Sequence, residues 1–350
     1  MTTLHGEETI DQALQSAYPG ATLLRFAGVR GERFQLAGIV AARIETPLPH
    51  WVMVSRGFTE LDDKQEEDPE VSGWGFELTC RVPAASDEFE EGWIVNWMQG
   101  IAEYLAASGA LLEPFHNKGM TQAATDDEIC GLVFVPDPLL GDTRSVTGAF
   151  SFLQMVGLTR TELEALRSWN ARHFVELVRA RDPLLLTDAR RTSYLRDPAF
   201  AQAVEQGIER DGSSMAMIAG VHVLWFLEAK ELQVHLREDE VPKLARAVRD
   251  RLRHGHHILF FGDRRLAQAA DGTTTMRRQT NVAILPEPGP SRVEERNGMD
   301  FAVLRCEPSA LQALADGVSA SPGSYVVPAM PGVRFVVASR ERFDDERYPF

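Results

Sequence analysis

Apolar positions at helical spacing mark the helices of this chain. Ile10, Leu14 and Tyr18 recur three to four residues apart and stop at Pro19-Gly20. Residues 93–108 repeat through Trp93, Ile94, Trp97, Met98, Ile101, Tyr104 and Leu105, and Gly109 stands where a C-terminal stop belongs. Thr159-Arg-Thr-Glu162 has the spacing of a capping box and opens a helix predicted to run to Arg179, with Leu163, Leu166, Trp169, Phe174 and Leu177 as its buried stripe. Further helices are predicted at residues 197–208, 242–254 (ended by Gly255) and 308–317.

Strands are read from alternation and from short apolar runs between turn residues. Residues 73–82 alternate, with Trp74, Phe76, Leu78 and Cys80 on one face and Glu77, Thr79 and Arg81 on the other. Other strand candidates are residues 21–28, 34–45, 129–135, 221–227, 231–236, 256–261, 281–285, 299–305 and 334–338, with apolar runs at 50–57 and 149–157. The expected fold class is α+β: two domains, each a mixed β-sheet packed with helices. The polar stretch Arg210-Asp-Gly-Ser-Ser214 places the boundary between residues 1–212 and 213–350.

Composition narrows the function by exclusion. The 350 residues carry 36 Lys plus Arg against 51 Asp plus Glu, a net charge of −15, which argues against binding nucleic-acid phosphates and suits a basic protein partner. No window reaches the roughly 18–20 apolar residues of a membrane helix, and the first residues lack a signal-peptide pattern, so the expected location is cytoplasmic. Cys80, Cys130 and Cys306 are far apart and form no CxxC pair, which fits a reducing compartment.

Catalytic signatures are missing: there is no GxGxxG after a strand, no GxxxxGK[ST], no GxSxG and no HExxH. His254-Gly-His-His257 could bind a metal, yet it straddles a predicted helix end and has no Cys or carboxylate at ligand spacing. Asp62, Asp63, Glu66, Glu67 and Asp68 lack the internal glycine of a calcium loop and read as a solvated run, as does Asp126-Asp-Glu128. Asp137, near Pro138 and Gly141, suits an Asx turn, and Cys80 and Cys130 sit in apolar strands as inert thiols. The expectation is a non-enzyme with no cofactor and no metal. The rival reading is an enzyme that uses His254, His256 or Asp137.

Several strings then occur in order: His50-Trp51, Ser55-Arg-Gly-Phe-Thr-Glu-Leu61, Ser72-Gly-Trp-Gly-Phe-Glu-Leu-Thr79, and Trp93 with Met98-Gln-Gly100 and Tyr104. They continue with Phe152-Leu-Gln-Met-Val-Gly157, Glu162-Leu163, Trp169-Asn170, Leu186-Thr-Asp-Ala-Arg-Arg191 and Gly207-Ile-Glu-Arg-Asp-Gly-Ser213. In these residues the chain resembles the Suppressor of fused family, with a weaker echo at Val234-His-Leu236 and Arg251–His257. The resemblance implies a two-domain protein that captures a partner segment as an added strand in an interdomain cleft. Carried over, the partner-binding residues would be Tyr104, Phe115, His116, Asn117, Lys118, Gly119 and Met120, together with Leu232, Gln233, Val234, His235 and Leu236. Residues 115–120 depart from the animal pattern, which has an acidic residue there, and the long insertion of animal members is missing, so the chain looks like a compact bacterial-type member. The function this implies is that of an immunity protein neutralising a polymorphic toxin. The alternative is a cytoplasmic regulator or scaffold that sequesters an endogenous protein. For Asp188, Arg190 and Arg191 an internal ion pair or cap is the expected role.

Overall fold

The computed structural model describes residues 5–28, 31–64, 68–228, 230–262, 280–296, 298–345 and 348. The chain divides into two compact units: residues 1–164 with 175–201, and residues 165–174 with 202–350. The architecture is α+β with mixed sheets, as the patterning implies.

The first unit holds α1 (Gly6–Ala17), β1 (Leu24–Ala27), β2 (Gly38–Ile44), β3 (His50–Arg56), β4 (Val71–Pro83), α2 (Gly92–Ser108), β5 (Asn117–Gly119), β6 (Ile129–Pro136), β7 (Thr143–Ser145) and β8 (Gly148–Thr159). These strands form one eight-stranded sheet in the order β1-β2-β3-β4-β8-β6-β5, with β7 beside β8. The β4–β8 pair is parallel and its neighbours are antiparallel. Alternation sends Ile39, Ala41, Met53, Leu78 and Cys80 to one face, under Ile94, Met98, Ile101 and Leu105 of α2. Val40, Ala42, Val52 and Val54 go to the other face, under Ile10 and Leu14 of α1. A sheet covered on both faces reads as near-continuous apolar sequence, which is why residues 50–54 show no alternation. It also explains the fate of the polar face of β4: Glu77, Thr79 and Arg81 are fully buried, not turned to water.

Helices α3 (Arg160–Ser168), α4 (Ala171–Arg181) and α5 (Pro198–Asp211) follow. The capping box forms as its spacing predicts: Glu162 Oε2 accepts the Thr159 N–H at 3.0 Å, and Thr159 Oγ1 accepts the Glu162 N–H at 3.4 Å. The single helix predicted to Arg179 is two helices. Asn170 Oδ1 accepts the N–H groups of Arg172 (3.0 Å) and His173 (3.3 Å), so it ends one helix and caps the next.

In the second unit are β9 (Met217–Val221), β10 (Val223–Glu228), β11 (Glu231–Arg237), α6 (Val241–Asp250), β12 (Ile258–Gly262), β13 (Asn281–Leu285), β14 (Arg292–Arg296), β15 (Met299–Arg305), α7 (Leu311–Gly317), β16 (Gly323–Val326), β17 (Val333–Ala338) and α8 (Arg340–Phe343). They make a four-stranded sheet, β10-β11-β17-β16, and a five-stranded sheet, β14-β15-β13-β12-β9. One apolar cluster joins both, with Trp225, Val234 and Phe335 from the first, Phe260, Ile284 and Leu304 from the second, and Leu244 and Leu311 from α6 and α7. The run 221–227 read as one strand, but the chain changes sheets at His222. Its N–H and Nδ1 both meet Glu240 Oε1 at 3.2 Å, and that polar corner interrupts an otherwise unbroken apolar run.

Candidate functional site

The segment 109–120 is built by a helix stop and a strand start. Gly109 takes the left-handed conformation (φ 63°) and its N–H returns to the Leu105 carbonyl at 2.8 Å, which ends α2. Phe115 is also left-handed (φ 68°), rare for a bulky residue, and its N–H reaches the Phe134 carbonyl at 2.6 Å. His116 N–H donates to Glu113 O at 3.1 Å, and Glu113 N–H donates to His116 Nδ1 at 3.2 Å. The chain then enters β5, paired antiparallel to β6 through Asn117↔Val133, Lys118↔Leu132 and Gly119↔Gly131.

β5 ends the eight-stranded sheet. Phe134 N–H donates to His116 O at 3.0 Å and Met120 N–H donates to Cys130 O at 2.7 Å. Antiparallel pairing alternates, so the even-numbered residues bond to β6 and the backbone of Gly119 turns toward the open edge. Side chains alternate too. Met120 packs against the cluster under α2, and Lys118 lies on the same face with its Nζ 3.5 Å from the centre of the Tyr104 ring. Burial pushes the Lys118 ammonium below its ordinary value. Tyr104 is 37% exposed and Leu111, just beyond α2, is 79% exposed. The sequence-derived residues Tyr104 and 115–120 therefore share one corner of the first unit.

Leu232–Leu236 lies in β11, an interior strand bonded to β10 on one side and to β17 on the other. Leu232, Val234, His235 and Leu236 are buried, and only Gln233 is half-exposed. Strand addition needs a free edge, so β11 cannot offer its backbone to a partner, and proline at Val234 would break the core. His235 has an internal use: its Nδ1 is 2.7 Å from the Tyr348 hydroxyl and its ring lies edge-on to Phe226. The edge on this side of the five-stranded sheet is β9, an uncharged Met-Ile-Ala-Gly-Val strand with Met217 49% exposed. Sequence reading passed over β9 because its residues merge into the apolar run after it.

The residues considered for catalysis have structural occupations. Asp137 receives a two-pronged ion pair from Arg81 (2.8 and 2.9 Å), a hydrogen bond from Thr79 Oγ1 (2.6 Å), and the N–H groups of Leu139 and Leu140. Burial alone would raise its carboxyl, but Arg81 holds it below the ordinary value. Asp126 pairs with Arg160, and Asp127 with Arg196. Burial raises the Cys80 thiol to about 12, far from a thiolate at neutral pH. Among the described residues no group of three His, Cys, Asp or Glu is placed to hold a metal, the 254–257 histidines included. Of the acidic run, Glu66 and Glu67 lie outside the described residues.

The recurring strings map onto buried polar joints. Glu77 takes four hydrogen bonds, from Ser55 Oγ (2.5 Å), Gly57 N–H (3.0 Å), Thr59 N–H (2.9 Å) and Thr59 Oγ1 (2.7 Å), and so ties the turn after β3 to β4. Burial nonetheless leaves its carboxyl above the ordinary value. Gln99 holds the loop before β2 through Leu36 N–H (3.1 Å) and Phe34 O (2.5 Å). Thr187 accepts the Gly157 N–H at 2.9 Å and its own N–H reaches Arg81 O at 2.8 Å. Arg191 pairs with Glu162 (2.6 and 2.7 Å), not with Asp188, which accepts the Arg190 N–H at 2.9 Å.

Residues 35–192 match the family model described as Suppressor of fused protein. Over these residues the chain is Suppressor of fused-like. The mouse Suppressor of fused homolog is 32% identical over 184 residues, covering 49% of this chain and 38% of the relative, and the human homolog is 31% identical over the same length. The chain thus spans about two fifths of the length of these relatives. The crystal structure of Drosophila Suppressor of Fused superposes with a TM-score of 0.72 at 17% identity, over 96% of this chain and 97% of that one. A chain of the Sufu–Fu complex superposes with a TM-score of 0.52 at 24% identity, over 58% of this chain and 98% of that one. The Suppressor of fused-like fold therefore reaches well beyond the residues whose sequence matches.

Proposed function

We propose that this chain is a non-enzymatic, cytoplasmic protein-binding module that captures a segment of a partner protein as an added strand. The observation that carries the reading is β5: a short strand at the end of the large sheet, with the Gly119 backbone turned outward beside the Tyr104–Lys118 pair. Strand addition takes affinity from backbone hydrogen bonds and specificity from the side chains alongside, and this edge offers both. The uncharged edge β9 is a second place of the same kind. The structural likeness to a chain of the Sufu–Fu complex supports binding as the task.

The partner we favour is a toxin, with this chain as its immunity protein, because the net charge of −15 suits a basic effector. An endogenous partner held by a regulator or scaffold is the second reading, supported by the likeness to the animal homologues. Affinity capture from the source cells, with wild type beside Gly119→Pro, tests the module. Proline removes the outward N–H and leaves the bonds of residues 116 and 120 to β6 in place. We expect one stoichiometric partner, lost on the folded variant. Equal capture by both proteins would remove β5 from the account, and the captured protein's identity separates toxin from regulator.

A further inference from the structure

The net charge is unevenly placed. Residues 1–159 hold 24 Asp and Glu against 9 Lys and Arg, a net of −15, while residues 160–350 hold 27 of each. In such a field every cation should find a carboxylate, and nearly all do. Arg25, Arg43, Arg56, Lys64, Arg81 and Arg144 are each ion-paired. Among the described residues of this stretch, only Arg33, which is exposed, and Lys118 are not.

Lys118 is the unusual one because it is half-buried. Its ammonium rests on the Tyr104 ring at 3.5 Å, and among the described residues no carboxylate pairs with it to compensate its lost hydration. The one cause acting on its proton affinity is that burial, which lowers it. A cation–π contact replaces only part of the water a lysine gives up. Lysines on edge strands often serve as guards against unwanted pairing, but a guard points into water and needs no ring to lie on.

We propose that Lys118 reads a carboxylate: a partner strand laid along β5 carries one acidic group that pairs with the Lys118 ammonium over the Tyr104 ring. This rests on β5 being the binding edge. The surrounding charge makes the contact a register mark. An acidic group on the partner is repelled along most of residues 1–159 and accepted at Lys118, so a strand displaced by one residue loses the pair and turns its side chains to the wrong face. The carboxylate could belong to an Asp or Glu side chain or to the partner's own C-terminus, since the ammonium reads the charge alone.

Two libraries of short random peptides, one displayed with free C-termini and one with the peptide internal, test this on the full chain. Each is selected on wild type and counter-selected on Gly119→Pro, so that only edge-dependent binders are scored. We expect those binders to carry a carboxylate at one fixed position. Enrichment of Asp or Glu in the internal library identifies a side chain, and enrichment only at free ends identifies a C-terminus. Selection on Lys118→Glu should move Lys or Arg into the same position. Lys118→Gln should weaken a chosen wild-type binder about fivefold, the upper end for an opposite-charge cross-strand pair, and Lys118→Arg should largely restore it. Edge-dependent binders without an acidic position, unchanged on Lys118→Gln, would overturn the carboxylate reading and leave strand addition standing. A selection with no edge-dependent binders would overturn both.

Discussion

The two units solve the same packing problem with different kinds of contact. In the first, one sheet is covered on both faces, and its core includes buried polar side chains joined across long stretches of sequence: Arg81 to Asp137, Ser55 to Glu77, and Glu162 to the largely covered Arg191. In the second, two smaller sheets share an apolar cluster, and the buried carboxylates Asp250 and Glu240 pair with near neighbours, the exposed Arg249 and the half-exposed Lys243. A buried carboxylate accepts only its matched donors, whereas an apolar position accepts many side chains of similar volume. That contrast gives a physical reason why the family model matches residues 35–192 while the fold superposes over 96% of the chain.

The largest effects should come from breaking each kind of core. Asp137→Ala leaves the Arg81 guanidinium buried without its partner and should cost about 3–5 kcal/mol in urea denaturation. The double change Arg81→Met with Asp137→Leu removes both charges and should cost well under half of that. If the single and double variants cost the same, the pair is no more than packing and the contrast between the units fails. In the second unit Phe335→Ala, at the centre of the shared cluster, should cost about 3–5 kcal/mol through a cavity. Phe335→Leu should cost clearly less, since volume rather than a matched partner is what this core requires.

The same contrast explains what could be read from the chain alone. The amphipathic helix α2 with its Gly109 stop, the capping box at Thr159 and the alternation of β4 were legible because each is a local pattern. The direction of the polar face of β4 was not, since Glu77 and Arg81 are buried by partners 18 to 56 residues away. β5 has three residues, Asn-Lys-Gly, and β14 reads Arg-Val-Glu-Glu-Arg; neither carries an apolar pattern, and both are strands only because β6 and β15 pair with them. Of the candidate site, Tyr104 and residues 115–120 come together, while β11 was an apolar run that sequence could not distinguish as interior.

A pH titration should separate the units by the groups that drive it. His235 is buried against Tyr348, and desolvation, with Arg342 adding repulsion, lowers its value from 6.5 to about 4. A base held neutral in the fold is charged more readily when unfolded, so this histidine leaves stability intact above 6.5. It costs progressively more as pH falls toward 4, up to about 3 kcal/mol. His235→Gln should flatten that part of the profile. Asp137, held low by Arg81, acts in a more acidic window: its contribution is present above its unfolded value and lost as pH falls below it. A profile unchanged between pH 6.5 and 4 by His235→Gln would remove the C-terminal corner from the acid response.

The smallest effect tests why the chain from Thr159 to Arg181 is two helices. The apolar spacing is three residues from Leu166 to Trp169 but five from Trp169 to Phe174, a phase shift that marks an interruption without fixing its cause. Two local features could impose one. Asn170 caps α4 through the N–H groups of Arg172 and His173. Trp169 is fixed by a 2.8 Å bond from its Nε1 to Asp211, and it lies so close to Gly207 that a Cβ there would come within 2.2 Å of the ring. If the cap sets the break, Asn170→Ala should cost about 1 kcal/mol and Asn170→Asp almost nothing, because the carboxylate accepts the same two bonds. Were Asn170→Ala neutral, the break would belong to the seating of Trp169, and Gly207→Ala would be the more damaging change. The outcome decides whether this turn is a local pattern, like the stop at Gly109, or a packed joint of the kind that fixes Arg81 and Glu77.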